Sequence, residues 1–243
     1  MARTVLVTGG SNGIGRAIAA RFAAAGERVV ITGRDADRLK AAAGELGVHG
    51  VVCDGAVPAQ VANLARDLGP AVHVLVNNAG GNTDFDVDAT QQRADDLERL
   101  ASGWRANLES NLMTAVLTTQ AVADLIPPGG SVISIGSIGA ERGSGSYGAA
   151  KAALAQWNLT VSAELGPRGV TANVISAGYI EGTDFFRGQL TSSRRETLIG
   201  ATHDKRPGTT SDVAETAYFL ASPGARHITA QVIHVNGGAF VTR

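Results

Sequence analysis

The 243-residue chain is long enough to bury a core of its own, which excludes a disulfide-stapled miniature, and its single cysteine, Cys53, permits no internal disulfide. Hydrophobic residues at 44% and charged residues at 18% give a globular rather than disordered balance, and a net charge of -1 supplies no field for nucleic acid or anionic lipid, so neither partner is expected. The longest uncharged run, Leu125 to Ala140, is 16 residues broken by Pro127-Pro128-Gly129-Gly130, too short for a membrane span, and Met1-Ala2-Arg3 leads into a strand without a signal-peptide core, which reads as cytoplasmic.

Short Val- and Ile-rich runs alternate with segments of helical period nearly to the C-terminus, a βαβ rhythm. Strands are predicted over Thr4 to Val7, Arg28 to Thr32, Gly50 to Cys53, His73 to Val76, Ser131 to Ile135, Thr171 to Ile175 and Gln231 to Val235. Between the first two, Ile14, Ile18 and Phe22 mark a helix that Gly26 stops. Val57, Val61, Leu64 and Leu68 draw the same stripe, with Pro58 near its start and Gly69-Pro70 at its end. Asp88 to Ile126 reads as one or two long helices, Tyr147 to Leu165 as another, and Ser211 to Ala221 as a shorter one capped by Ser211. No linker or repeat interrupts the series. The expectation is one domain over residues 1–243, a doubly wound parallel seven-stranded sheet of Rossmann type with helices on both faces, binding its ligand beyond the strand C-termini.

Glycine is overrepresented: 31 residues, about 13% against a usual ~7%. Directly after the first strand comes Thr8-Gly9-Gly10-Ser11-Asn12-Gly13-Ile14-Gly15, with the helix starting inside it. Glycines here let a pyrophosphate approach the backbone, and the free N-H groups of a helix N-terminus favour its charge. The plainer alternative is a tight strand-to-helix turn. A sharper one is the G-x-S-x-G nucleophile elbow of a serine hydrolase, with Ser11 as nucleophile and His227 or His234 with Asp212 completing the triad. Against the elbow, it would stand at residue 11, before the strands that normally precede one, and no His-Gly-Gly oxyanion motif appears. The five histidines lack metal-ligand spacing, and no metal is expected.

About 19 residues beyond Gly15 the second strand runs into Thr32-Gly33-Arg34-Asp35, with no acid at its last position. An arginine there pairs with a 2'-phosphate, whereas NAD would want a carboxylate for its hydroxyls, so NADP(H) is preferred over NAD(H). The alternative is a solvated Arg34 at a helix start capped by Asp35. Asp54, closing the third strand, is placed to accept a bond from the adenine amino group.

Tyr147 and Lys151 are four apart near a helix start and share one face. With three tyrosines and three lysines in the chain, chance supplies about 0.04 such pairs. An ammonium beside a phenol, together with an oxidised nicotinamide ring, favours the phenolate, bringing the tyrosine down toward working pH as a general acid. An exposed surface pair is the alternative.

Together, the glycine turn, Asn77-Asn78-Ala79-Gly80 after the fourth strand, Asn111 in a long helix, a serine after the fifth strand, Tyr147-x-x-x-Lys151, Ala177-Gly178-Tyr179-Ile180 and Val235-Asn236-Gly237-Gly238 resemble the short-chain dehydrogenases/reductases over the whole chain. The resemblance implies that Tyr147 exchanges a proton with the substrate oxygen, that Lys151 lowers the tyrosine pKa and holds the nicotinamide ribose, and that Ser137 orients the carbonyl. It implies that Asn111 holds a water behind Lys151 through a local break in its helix. Asn77 would brace the central sheet, the backbone of Asn78, Ala79 and Gly80 would line the ribose, and Gly178, Ile180 and Thr183 would lie at the nicotinamide.

Three features depart from the family. Ser137 lies 10 residues before Tyr147 where 12 or 13 is usual, and Ser134 lies 13 before; Ser137 is chosen because it follows the strand. Ala177 replaces a usual proline and Gly182 is extra. The segment from Gly81 to Arg105, with Trp104, is longer than usual and is either a surface elaboration or a subunit contact. The resemblance implies a ketoreductase similar to 3-oxoacyl-[acyl-carrier-protein] reductases, acting on a carbonyl compound, its alcohol or an acyl thioester, and forming a homo-oligomer, a tetramer or dimer. A lid is expected over residues 181–206, where Phe185, Phe186 and several arginines stand. A non-catalytic dinucleotide sensor is the third reading.

Overall fold

The computed structural model describes residues 2–86 and 97–242. Seven parallel strands form one sheet, β1 (Thr4–Val7), β2 (Arg28–Gly33), β3 (His49–Val52), β4 (Val74–Asn77), β5 (Ser131–Ser137), β6 (Thr171–Ala177) and β7 (Val232–Val235), in the order β3-β2-β1-β4-β5-β6-β7. All seven predicted strands exist, with boundaries moved by one or two residues. The helices are α1 (Gly13–Ala24), α2 (Ala36–Leu46), α3 (Pro58–Asp67), α4 (Leu97–Leu108), α5 (Thr114–Val122), α6 (Gly139–Arg142), α7 (Gly145–Leu165), α8 (Ser192–Gly200) and α9 (Thr210–Leu220).

Alternate strand residues point to opposite faces, so the nearly continuous apolar runs feed two cores. Val5, Val7, Val29, Ile31, Val74 and Val76 pack with Ile18 and Phe22 of α1, Leu39 of α2 and Val213, Ala217 and Leu220 of α9. Leu6, Val30, Leu75 and Val132 pack on the other face with Val61 and Leu64 of α3, Val122 of α5 and Val161 and Leu165 of α7. The doubly wound, three-layer architecture is therefore observed.

Corrections are local. The last long helix is capped by Thr209, not Ser211: Thr209 Oγ1 accepts from Asp212 N at 3.2 Å while Asp212 accepts from Thr209 N at 2.7 Å, a capping box. The long-helix expectation over Asp88 to Ile126 resolves into α4, a π-helical turn at Glu109–Met113, α5 and a 3-10 turn at Ala123–Leu125, residues 88–96 lying outside the described ones. The α2 helix was absent from the predicted series. Asp35 caps it, its Oδ1 accepting from Arg38 N at 3.0 Å. No helix among the described residues is long and apolar enough to cross a membrane.

The sheet order reverses between β1 and β4, and loops leaving their C-terminal ends in opposite directions open a crevice there. Close packing builds its floor. A Cβ on Gly15 would lie 2.3 Å from both the Gly9 carbonyl oxygen and Asn78 Nδ2. Gly15→Ala is therefore expected to push α1 off the turn and cost roughly 1–3 kcal/mol, read as a lowered thermal midpoint together with weakened nucleotide binding. An unchanged midpoint would show that the turn has slack.

Candidate active site

A cavity of about 1470 Å³ lies above the crevice. On one side it is lined by Gly9, Ser11, Asn12, Gly13 and Ile14 of the first turn, by Arg34 after β2 and by Asp54 after β3. Gly9 and Gly13 hold φ of 65° and 51°, left-handed values that glycine alone adopts without strain. The Asn12 side chain makes no capping bond to α1, leaving the helix's first amides without a side-chain partner. Arg34 is exposed, and among the described residues no hydrogen bond or ion pair engages it. A second guanidinium, Arg38, lines the same end, 3.7 Å from Asp184 in the segment after β6. Asn12 Nδ2 donates to Asp184 Oδ2 at 3.2 Å, so that segment rests on the glycine turn. This cradle, in which Gly9 and Gly13 carry no Cβ, fits a dinucleotide pyrophosphate.

After β4, Asn78, Ala79 and Gly80 line the middle of the cavity. The bracing expected of Asn77 is divided between two asparagines. Asn77 Nδ2 donates to Thr119 Oγ1 at 2.8 Å, tying β4 to α5. Asn78 Nδ2 donates to the carbonyls of Thr8 and Gly9, each at 3.0 Å, locking the phosphate turn, while Thr8 Oγ1 accepts from the amides of Asn78 and Ala79.

Ser137, Tyr147 and Lys151 line the other side with Gly178, Ile180 and Thr183. Ser137 ends β5, accepts from Gly139 N at 3.1 Å and lies close enough to Tyr147 for its hydroxyl to favour the phenolate. Ser134 is fully buried within the strand, its hydroxyl without a protein partner. The ten-residue spacing is taken up by the short α6 between β5 and α7. Lys151 is buried and its Nζ donates to Ile135 O at 2.9 Å, 5.9 Å from the centre of the Tyr147 ring. An exposed surface pair is thus ruled out by burial.

The direction of the tyrosine shift is a correction. Burial pushes Tyr147 up to about 12, with the Ser137 hydrogen bond opposing it, and Lys151 is not among the causes. The ring is 6% exposed, packed at 5.4 Å between centroids against Phe185, and this loss of solvent outweighs the expected pull of the ammonium. Lys151 is itself brought down to about 8 by burial. Between about pH 8 and 10.5 the unfolded chain therefore binds more protons at this residue than the folded one, and stability rises with pH across that window; below it the full penalty applies. Tyr147 acts in the opposite sense only above pH 10. Lys151→Met is expected to gain stability relative to the wild type at pH 7, by roughly 3 kcal/mol more than at pH 10.5. Urea unfolding between pH 7 and 10 checks this, and a pH-independent difference would reject it.

Two predicted site residues do not line the cavity. Gly15 acts from beneath the turn, as its packing shows. Asn111 does sit in a helix break, the π-helical turn, but its side chain faces the segment after β4: Nδ2 donates to Gly81 O at 2.9 Å and to Asn107 O at 3.0 Å, and Oδ1 accepts from Gly81 N at 3.0 Å. Sequence reasoning missed Asn107, one turn earlier and wholly buried. Its Oδ1 accepts from Thr83 N, and its Nδ2 donates to Asp84 Oδ1 and Ser146 Oγ, both at 2.8 Å. The Asn107-x-x-x-Asn111 spacing was the available signal, two amides on one face of a helix.

The hydrolase alternative does not assemble. Ser11 follows β1, whereas His234 lies on β7, four strands away and hence roughly 19 Å across the sheet. His227 precedes β7, at the opposite end of the strands, and Asp212 is engaged by Arg206 and Thr209. Among the described residues no group of His, Cys, Asp and Glu is arranged to hold a metal.

A glycine-cradled crevice at the switch point, facing a buried phenol and amine, is what an oxidoreductase built on a dinucleotide fold requires. The comparisons agree. Residues 9–239 match the family model described as enoyl-(acyl carrier protein) reductase. The chain is 34% identical over 249 residues to the 3-oxoacyl-[acyl-carrier-protein] reductase of Escherichia coli, covering 98% of each. Among solved structures it resembles a short-chain dehydrogenase from Burkholderia cenocepacia in complex with NADP (TM-score 0.83, 31% identity, 98% of this chain and 97% of that one). It also resembles a short-chain type dehydrogenase/reductase from Mycobacterium ulcerans (TM-score 0.86, 30% identity, 98% and 89%). The chain belongs to the short-chain dehydrogenase/reductase family, and is similar to its 3-oxoacyl-carrier-protein reductases.

Proposed function

We propose that the protein is an NADP(H)-dependent carbonyl reductase that converts a ketone, or a 3-oxoacyl group, to a secondary alcohol, with Tyr147 as proton donor. The observation that carries the reading is that Ser137, Tyr147 and the buried Lys151 line the same cavity as the glycine cradle, with Lys151 fixed on Ile135 O.

Gly9, Ser11, Asn12, Gly13 and Ile14 would hold the pyrophosphate, with Gly15 supporting the turn from below. Arg34 would hold the 2'-phosphate, Asp54 the adenine, the Asn78 to Gly80 backbone a ribose, and Gly178, Ile180 and Thr183 the nicotinamide end. The bound cofactor supplies a hydride to the carbonyl carbon. Ser137 and Tyr147 donate hydrogen bonds to the carbonyl oxygen, holding it in place and stabilising the charge that develops there. Tyr147, kept protonated by its burial, gives its proton to that oxygen. Lys151 stands behind it, fixed on Ile135 O, with a proton affinity low enough to exchange near neutral pH. Asn111 acts by holding the segment after β4 to the π-helical turn, and the relay water expected of it remains part of this proposal.

We assign all of this to one domain over residues 1–243 whose residues 181–206 form a lid, in a homo-oligomeric cytoplasmic protein. Ketones and 3-oxoacyl thioesters offered with NADPH, followed by loss of reduced-nicotinamide absorbance, test the activity. Oxidation of no alcohol and reduction of no carbonyl, alongside intact NADPH binding, would favour the dinucleotide sensor instead.

A further inference from the structure

Aromatic residues make up only 5% of the chain, yet five of its eleven stand together at this cavity: Phe85, Tyr147, Tyr179, Phe185 and Phe186. Their rings meet edge-on or tilted, Phe85 to Phe185 at 5.9 Å and to Phe186 at 5.7 Å, Phe185 to Phe186 at 5.0 Å and Tyr179 to Phe186 at 6.0 Å. Phe85, Tyr179, Phe185 and Phe186 are half-buried, covered on one side and open to the cavity on the other. Rings placed only for packing belong in the two cores, where Phe22 is fully buried.

The cluster has a fixed half and a closing half. Phe85 follows the segment that Asn107 and Asn111 pin through Gly81, Thr83 and Asp84, and Ser146, the neighbour of Tyr147, donates to Asp84 Oδ1 at 3.1 Å. Its position is thereby tied to the helix that carries the phenol. Phe185 and Phe186 ride on a 3-10 turn in the segment after β6, and Gln189 Nε2 donates to Phe85 O at 2.9 Å, closing one half on the other.

We propose, resting on the carbonyl-reductase reading, that this cluster is a ring-recognition subsite and that the preferred substrates are ketones carrying an aryl ring one methylene from the carbonyl. The aryl ring packs against the cavity-facing side of Phe85 and the Phe185-Phe186 pair, and the carbonyl oxygen reaches Ser137 and Tyr147. A planar guest offers edges and faces to rings already set at 53° to 87° to one another, which a saturated ring of equal size cannot match.

Phenylacetone and cyclohexylacetone test this directly, since they present the same methyl ketone and differ only in the ring. With NADPH, kcat/KM is expected to favour the aryl ketone about tenfold, equivalent to ~1.4 kcal/mol. Phe85→Leu is expected to bring the ratio below about threefold and Phe85→Tyr to restore it, with thermal melting to verify folding; should Phe85→Leu not fold, Phe186→Leu is read the same way. A wild-type ratio near one, or a ratio that Phe85→Leu leaves unchanged, overturns the subsite while leaving the reductase intact. Saturation-transfer NMR of the two corresponding alcohols with NADP+ separates the remaining cases without needing turnover. Selective binding of the aryl alcohol with neither ketone reduced supports the subsite and rejects the reductase; no selectivity and no turnover rejects both.

Discussion

Tyr147→Phe is expected to lose about 10³-fold in kcat while binding NADPH within about threefold of the wild type. The substitution removes one oxygen from a ring that is 6% exposed and leaves its packing against Phe185 in place. What disappears is the hydroxyl that stands beside Ser137 at the cavity wall. Because burial keeps the phenol protonated to about 12, the wild-type reduction rate should show no loss through tyrosine ionisation below pH 10. A tyrosine lowered to neutral pH by its lysine would instead make reduction fall from about pH 7 upward. Nicotinamide absorbance across pH 6 to 10, with a fluorescence titration of nucleotide binding, distinguishes the two. Full activity in Tyr147→Phe would remove the assigned proton donor.

Arg34→Ala is expected to weaken NADPH about 10- to 100-fold and NADH less than about threefold, since charge-assisted bonds contribute about 1.5–3 kcal/mol. The side chain lies exposed at the cavity rim after β2, where no hydrogen bond or ion pair among the described residues engages it. Its neighbour Arg38 is shared with Asp35 and Asp184, so Arg34 is the guanidinium with fewer claims on it. Titration of each variant with both nucleotides gives the two ratios. Equal losses for NADPH and NADH would mean that Arg34 supports the fold of the rim and reads no phosphate.

The elements legible in advance are those whose signal is local. The glycine turn, the apolar strands, the α1 stripe from Ile14 to Phe22 and the Tyr147-Lys151 spacing each report a backbone geometry that a few neighbouring residues dictate, and each stands where its spacing placed it. The end of β5 was placed two residues early, at Ile135, and Ser137 is the last residue of the strand instead of following it. The helix starting at Thr210 was placed one residue late and its cap two, because Ser and Thr are both favoured caps, and the choice of Thr209 is made by the reciprocal bond to Asp212.

Tertiary structure alone decided the rest. The sign of the Tyr147 shift depends on solvent excluded by Phe185, 38 residues away in the chain, and no i,i+4 spacing carries that information. Asn111 faces Gly81 because the segment after β4 folds back onto α4, and Asn107 is satisfied by Thr83, Asp84 and Ser146 from two separate segments. Phe85 and the Phe185-Phe186 pair, about a hundred residues apart, meet only because strands β4 and β6 end on the same side of the sheet. Periodicity and spacing specify which backbone forms. Burial, charge regulation and the shape of a binding surface arise from distant segments sharing one volume, and are settled when the chain closes on itself.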